Sequence, residues 1–315
     1  MGFIGTFFGW IFRTAKTIFS SSGKDFRIFE KEAHLEKKEK KEALDIEIDD
    51  KLGKKGVSSL SSNEDDLEKK EEIVQEVTTD LSGDVDLYLK DKNHDHVKDS
   101  QEKFDKIIKW FDDLKDVLKD NLHNAARINN ALKKSEDSIQ DLIKLYKDEW
   151  RAMRREYRLL KRAKKEEGEY YQKKATIFAE KKEILKRLVA IFKTQKIHTK
   201  ESHEKSQKLL EIIKEIYSNY FKLKEKTHQK IENWENMKTL LGEILNFIKN
   251  DLRINQEEKM IMEHFNQHFD DMEKLQVQAV ELLDKKDILN KEYEVLLVKQ
   301  GEEIQSGESS LPGAA

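Results

Sequence analysis

A row of residues spaced seven apart constrains this chain more than any other feature. Counted from Phe104 it runs Phe104, Phe111, Leu118, Ala125, Leu132, Ile139, Tyr146, Met153 and Leu160, nine uncharged positions in a sequence that is 39% charged. A seven-residue repeat keeps one seam of a helix turned toward a partner along its whole length, so the stretch calls for side-by-side helix packing. The 315 residues include a single proline, Pro312. The usual helix breaker is therefore missing from everything before it, and long helices are permitted throughout.

Similar rows follow. Tyr171, Phe178, Leu185 and Phe192 form one, with Ile184, Leu188 and Ile191 beside it. Ile213, Tyr220, Thr227, Trp234, Leu241 and Ile248 form another, and Phe265, Met272, Ala279 and Tyr293 a last one, flanked by Leu275, Leu282, Leu283, Leu289 and Leu296. Hydrophobic periodicity fades over 197–206, and turns are expected there, near Gly168 and at 250–255. The fold class expected is all-α: an elongated antiparallel coiled-coil hairpin turning at 197–206, or a helical bundle of long helices if the other turns are used. The hairpin is preferred because bundle corners normally carry clearer turn chemistry, and its arms would be about 140 Å long at 1.5 Å per residue. The expected organisation is an amphipathic helix at 1–20, a charged and largely disordered linker at 21–97, a long-helix domain at 98–300 and a disordered tail at 301–315.

Charge separates the function classes. With 60 Lys and Arg against 63 Asp and Glu, the chain suits helices whose outer faces are laced with ion pairs, and any polyanion binding has to come from a local patch. The sequence has no cysteine, which removes disulfides, thiolate metal sites and cysteine nucleophiles and is compatible with a reducing compartment.

Residues 1–20 read MGFIGTFFGWIFRTAKTIFS. At about 100° per residue, Phe3, Ile4, Phe7, Phe8, Trp10, Ile11, Phe12, Ala15, Ile18 and Phe19 fall on one broad face, and Gly2, Gly5, Thr6, Gly9, Arg13, Lys16, Thr17 and Ser20 on the other. A bilayer span needs roughly 20 predominantly apolar residues, and Arg13 and Lys16 interrupt this run early, so a helix lying in the membrane interface fits better than one crossing it. No basic residues precede the apolar run and no small-residue cleavage site follows, which disfavours a secretory signal. Gly2 and Thr6 match the loose myristoylation pattern, with bulky Phe3 against it.

The stretch 21–97 is sparse in apolar residues and broken by Gly53, Gly56, Gly83 and serines at 58, 59, 61 and 62. Too little apolar surface is evident to offset chain ordering, hence the expectation of a flexible tether. At its end Asp91, Asn93, Asp95, Val97, Asp99 and Glu102 stand at the spacing of a twelve-residue calcium loop, but His96 occupies the position that needs glycine. No metal site is assigned there.

Two further constellations stand out. Arg151, Arg154, Arg155, Arg158, Lys161, Arg162 and Lys165 form a basic stripe on one helix face, and guanidinium groups suit phosphate. The alternative for the stripe is ion pairing with acids such as Glu257, Glu258, Asp270 or Asp271. His264, His268 and Asp271 could share a face that holds a divalent metal, and Glu225 with His228 makes half of a di-iron motif. Neither set is complete, and no nucleophile is paired with a base, so no catalytic residue, metal or cofactor is assigned.

The expected function is that of a non-enzymatic coiled-coil scaffold or adaptor, peripheral on the cytoplasmic face of a membrane and bound through Phe3, Ile4, Phe7, Phe8, Trp10, Ile11, Phe12, Ile18 and Phe19. Its partners would be the membrane surface and other proteins, a second copy included, with no small-molecule substrate. A cytoplasmic coiled coil binding nucleic acid or another polyanion through 151–165 is the alternative, and a metal-dependent helical enzyme a third reading. In layout, though in no motif, the chain is similar to the phage-shock and ESCRT-III-like membrane-remodelling families, which combine an N-terminal amphipathic helix with long helical hairpins; the long connector departs from their arrangement.

Overall fold

The computed structural model describes residues 23–163, 169–228, 233–252 and 256–308; the expected membrane-interface helix at 1–20 lies outside the described residues. Among those described, the protein is all-α, without a strand. Helix α1 (Gly23–Asp91) is followed by a 3-10 turn (His94–Val97), then α2 (Ser100–Ala163), α3 (Glu169–Thr227), α4 (Trp234–Asn246), a π-helical turn (Phe247–Leu252) and α5 (Gln256–Glu308).

Each long helix is organised by one row of sevens. All nine residues of the α2 row are buried. In α3 the row is continuous from end to end: Tyr171, Phe178, Leu185, Phe192, Thr199, Ser206, Ile213, Tyr220 and Thr227, of which only Tyr171 is more than marginally exposed. Thr199 and Ser206 fill the gap where the periodicity fades, so the turn expected at 197–206 does not form and the two expected registers are one. This removes the hairpin that was to bend there. In α5 Glu258, Phe265, Met272, Ala279, Lys286 and Tyr293 form the row, all buried.

The stretch 21–97, expected to be a largely disordered linker, differs most. It is helical from Gly23 to Asp91, and its inner row is Ile46, Gly53, Leu60, Leu67, Val74, Leu81 and Tyr88, all buried or half-buried. Glycine conceals the row from a search for apolar residues, yet Gly53 in the row and Gly56 beside it are both buried. A Cβ on Gly53 would overlap the Phe269 ring, and one on Gly56 would stand 2.8 Å from Ile128 Cγ1 and 3.2 Å from the Asn124 carbonyl. Missing side chains here let the helices approach, and burial of Val57, Leu60, Val74, Leu81 and Val85 offsets the ordering entropy. Residues 301–308 of the expected tail belong to α5, which continues through Gly301 to Glu308, and 309–315 lie outside the described residues; one glycine costs a helix only about 1 kcal/mol.

The turns are chemically marked. α1 ends at Lys92, whose φ of 59° puts it in the left-handed region, with its N–H on the Tyr88 carbonyl at 2.7 Å. Asp91 accepts from the Asn93 N–H (2.9 Å) and lies 2.8 Å from His96 Nε2, and both bonds hold its carboxyl below the usual range. The Asn93 side chain accepts from the Asp95 N–H, and Glu102 pairs with Lys106. Of the calcium-like carboxylates, Asp91 therefore serves the α1–α2 turn, while Glu102 pairs within α2. α2 ends at Ala163 and α3 begins at Glu169, and the turn expected near 168 lies outside the described residues, as do 253–255 of the one expected at 250–255. A further break before α4 was not expected; Asn233 caps α4 by accepting from the Asn236 N–H at 2.8 Å.

The chain divides into two compact units. The first comprises the described residues of Met1–Ile46, Asp137–Ile197 and Met272–Ala315, and the second Glu47–Glu136 and His198–Asp271. The first unit packs Tyr146, Phe178, Phe192 and Tyr293 with aliphatic residues of α2, α3 and α5, Tyr146 stacking on Phe192 at 5.4 Å. It also buries an ion pair, Lys286 Nζ to Glu149 Oε2 at 3.0 Å. The second unit holds an aromatic cluster around Phe111, Tyr220 and Phe247 and a mostly aliphatic one in which Leu60, Ile128 and Leu132 surround Phe265. Tyr220 donates its hydroxyl to the Phe111 carbonyl at 2.7 Å.

Candidate functional site

The end of α2 is where packing and charge meet. Met153 and Leu160 pin its inner face into the first unit's core. At about 100° per residue, Arg151, Arg154, Arg155, Arg158, Lys161 and Arg162 then fall on an arc of roughly 120° away from that seam. All six are exposed. Arg151 pairs with Asp148 one turn back (2.9 Å), and the Arg154 guanidinium lies 5.3 Å from the Trp150 ring centroid. Among the described residues Arg154, Arg155, Arg158, Lys161 and Arg162 form no ion pair, and Lys165 lies outside them. Lys161 and Arg162 occupy the last turn, where the helix dipole favours cations. Of the acids considered as partners, Asp270 pairs instead with Lys54 at 3.1 Å and Glu258 is buried. The stripe is thus an outward-facing set of guanidinium and ammonium groups, chemically suited to phosphate or carboxylate.

His264 and His268 lie in the second unit beside a polar stretch of α3. Ser202, fully buried, lies 3.0 Å from His264 Nε2; the Ser206 hydroxyl is 3.0 Å from Asn129 Oδ1, and His203 Nδ1 is 3.2 Å from Glu136. The serine–histidine contact joins α3 to α5, with Ser202 buried and His264 half-buried. His268 is 4% exposed, and neither ring nitrogen has a partner among the described residues. Burial, reinforced by the charges of His264 and His198, lowers its pKa to about 4. Burial also lowers that of His264. Among the described residues no three His, Asp or Glu side chains converge on a metal position, so His264, His268 and Asp271 are not brought together as ligands. His228 Nδ1 lies 3.0 Å from its own helix's Lys224 carbonyl and does not join Glu225 in a site.

An open groove of about 280 Å³ in the second unit is lined by Asn219, Lys226, Glu243, Phe247 and Asp251. Lys226 is neutralised there by Glu243 at 2.6 Å, and burial raises the Asp251 pKa while Asn219 donates to it at 3.4 Å.

The sequence reading missed the outer face of α5. Val277, Val280, Ile288, Val295 and Val298 are all more than half exposed. The signal was a second apolar row in a helix that needs only one to bury. No helix among the described residues is long and apolar enough to cross a membrane. The chain matches no protein-family model, no curated protein and no solved structure.

Proposed function

We propose that this protein is a non-enzymatic scaffold, held peripherally on the cytoplasmic face of a membrane by residues 1–20 and presenting helices that pack as coiled coils to protein partners. The observation that carries the reading is the partition of 1–20 into an aromatic face (Phe3, Ile4, Phe7, Phe8, Trp10, Ile11, Phe12, Ile18, Phe19) and a small, weakly basic face with Arg13 and Lys16. Such a helix gains by burying its apolar face at the headgroup boundary, and its cations favour anionic lipid. The buried rows of sevens in α2, α3 and α5 support the coiled-coil part. The absence of cysteine suits a reducing compartment. Flotation with liposomes containing phosphatidylserine tests it: the full chain should float and the chain lacking 1–20 should stay with the soluble fraction. Equal partitioning of both would end the anchor reading.

A second reading rests on the outward guanidinium groups at the end of α2, which would bind a polyanion. Exposure of Arg154, Arg155 and Arg158 without acidic partners among the described residues favours it. Binding to DNA or RNA that weakens steeply with salt and disappears in the triple glutamine variant would support this reading over the first.

A further inference from the structure

Helix α5 buries one face through Met272, Ala279, Leu289, Tyr293 and Leu297, yet it carries a second apolar row on the opposite side. Val277 is 56% exposed, Val280 54%, Ile288 54%, Val295 55% and Val298 53%. At about 100° per residue the five fall within an arc of roughly 80°, over about 32 Å of helix. Valine and isoleucine are poorer helix formers than lysine, glutamate or glutamine, which occupy the other exposed positions nearby, so helix propensity does not account for them. A contiguous apolar strip on a charged surface marks a contact.

Charge identifies the occupant. Only two charged residues lie within the arc, Asp284 and Lys291; both are exposed, and neither forms an ion pair among the described residues. The strip is symmetric about a point between Asp287 and Ile288. Val277 and Val298 are equidistant from that point, as are Val280 and Val295, and as are Asp284 and Lys291. Laid antiparallel on itself, the strip brings valine level with valine, Asp284 level with the copy's Lys291, and Ile288 beside its own copy. Glu281 and Glu294, also level across the axis, lie on opposite margins of the face. A parallel arrangement would set Asp284 against Asp284 and Lys291 against Lys291. Self-complementarity of this kind is what a two-fold interface requires.

We propose that the outer face of α5 is a homodimer interface, in which two copies of this chain pair antiparallel about a two-fold axis near Ile288. A strip about 32 Å long and one helix face wide buries roughly 600 Å² over both copies, the size of a weak, reversible contact. This names one partner of the proposed scaffold and does not depend on its membrane anchor.

The cysteine-free sequence makes the test direct. In the full chain, Ile288→Cys should give a disulfide-linked dimer under mild oxidation, since the axis brings the two residues together. Val277→Cys alone should not, because its copy lies about 32 Å away, whereas a mixture of Val277→Cys and Val298→Cys proteins should crosslink. Adding Asp284→Lys to Ile288→Cys should slow crosslinking roughly tenfold by turning two attractions into repulsions, and adding Lys291→Asp as well should restore it with helicity unchanged by circular dichroism. Crosslinking of Val277→Cys with itself would overturn the antiparallel arrangement. Crosslinking of Ile288→Cys no faster than a cysteine at exposed Lys193 would overturn the interface.

Discussion

Helix α2 offers its neighbours nine apolar residues seven apart, whereas α1 offers Ile46, Gly53, Leu60, Leu67, Val74, Leu81 and Tyr88 at the same spacing. The two helices thus share a period and differ in material. α2 fills space, with Phe111 stacked at 6.0 Å from Tyr220 and 6.1 Å from Phe247. α1 vacates it, with Gly53 against the Phe269 ring and Gly56 against Ile128. A helix can be held to a core by what it inserts or by how closely it lets a neighbour approach, and only the first is visible as hydrophobicity.

The difference can be broken at either end. Phe111→Ala removes a fully buried ring from the filled row and should cost about 3–5 kcal/mol, seen as a lower urea midpoint with an unchanged slope. Acid should come next. Folding keeps His268, next to the ring that Gly53 abuts, neutral down to about pH 4, while the unfolded imidazole titrates near 6.5. Its folded pKa is the lower one, so this contribution is complete above pH 6.5 and is lost as pH falls toward 4, by up to roughly 3 kcal/mol. Urea midpoints at pH 7 and pH 4.5 should therefore differ less in His268→Leu than in the parent chain. Two of the α1 glycines, Gly53 and Gly83, should then part company. Gly53→Ala forces a buried ring to move and should destabilise by about 1–3 kcal/mol, whereas Gly83→Ala meets nothing within 4 Å and should stabilise by roughly 0.5–1 kcal/mol. Equal effects at both glycines would mean that α1 is not held by close approach.

The legible part of the fold was the part written in large apolar letters. The α2 row could be read directly, and so could both pieces of the α3 row, because Phe178, Leu185, Phe192, Ile213 and Tyr220 stand out among charges. Thr199 and Ser206 continue that row in small hydroxyl residues, and a search for hydrophobic period reads them as a loop; what makes them tolerable inside is a local acceptor, such as Asn129 for Ser206. Lys286 interrupts the α5 row for the same reason and is matched by Glu149, more than a hundred residues away in the chain. The basic stripe was visible as arginines, but its outward direction depended on which residues the seam claimed. The α5 strip was hidden by its modest residues: four valines and an isoleucine, spread over 22 positions, look like ordinary helix filler until their exposure is known.

Rows of sevens have a weakness: one heptad resembles the next, so a helix can slide along its neighbours by a turn or two and still bury apolar surface. The buried contact between Glu149 and Lys286 breaks that degeneracy. A slide of one turn, about 5.4 Å, would part the two charges inside the core and leave each without its partner, at a cost of several kcal/mol. The pair therefore acts as an index mark, giving α5 one setting against α2. Because the helix is a rigid rod at this scale, the mark also fixes where Asp284 and Lys291 stand on the outside, so one ion pair in the interior sets the alignment of the outer strip.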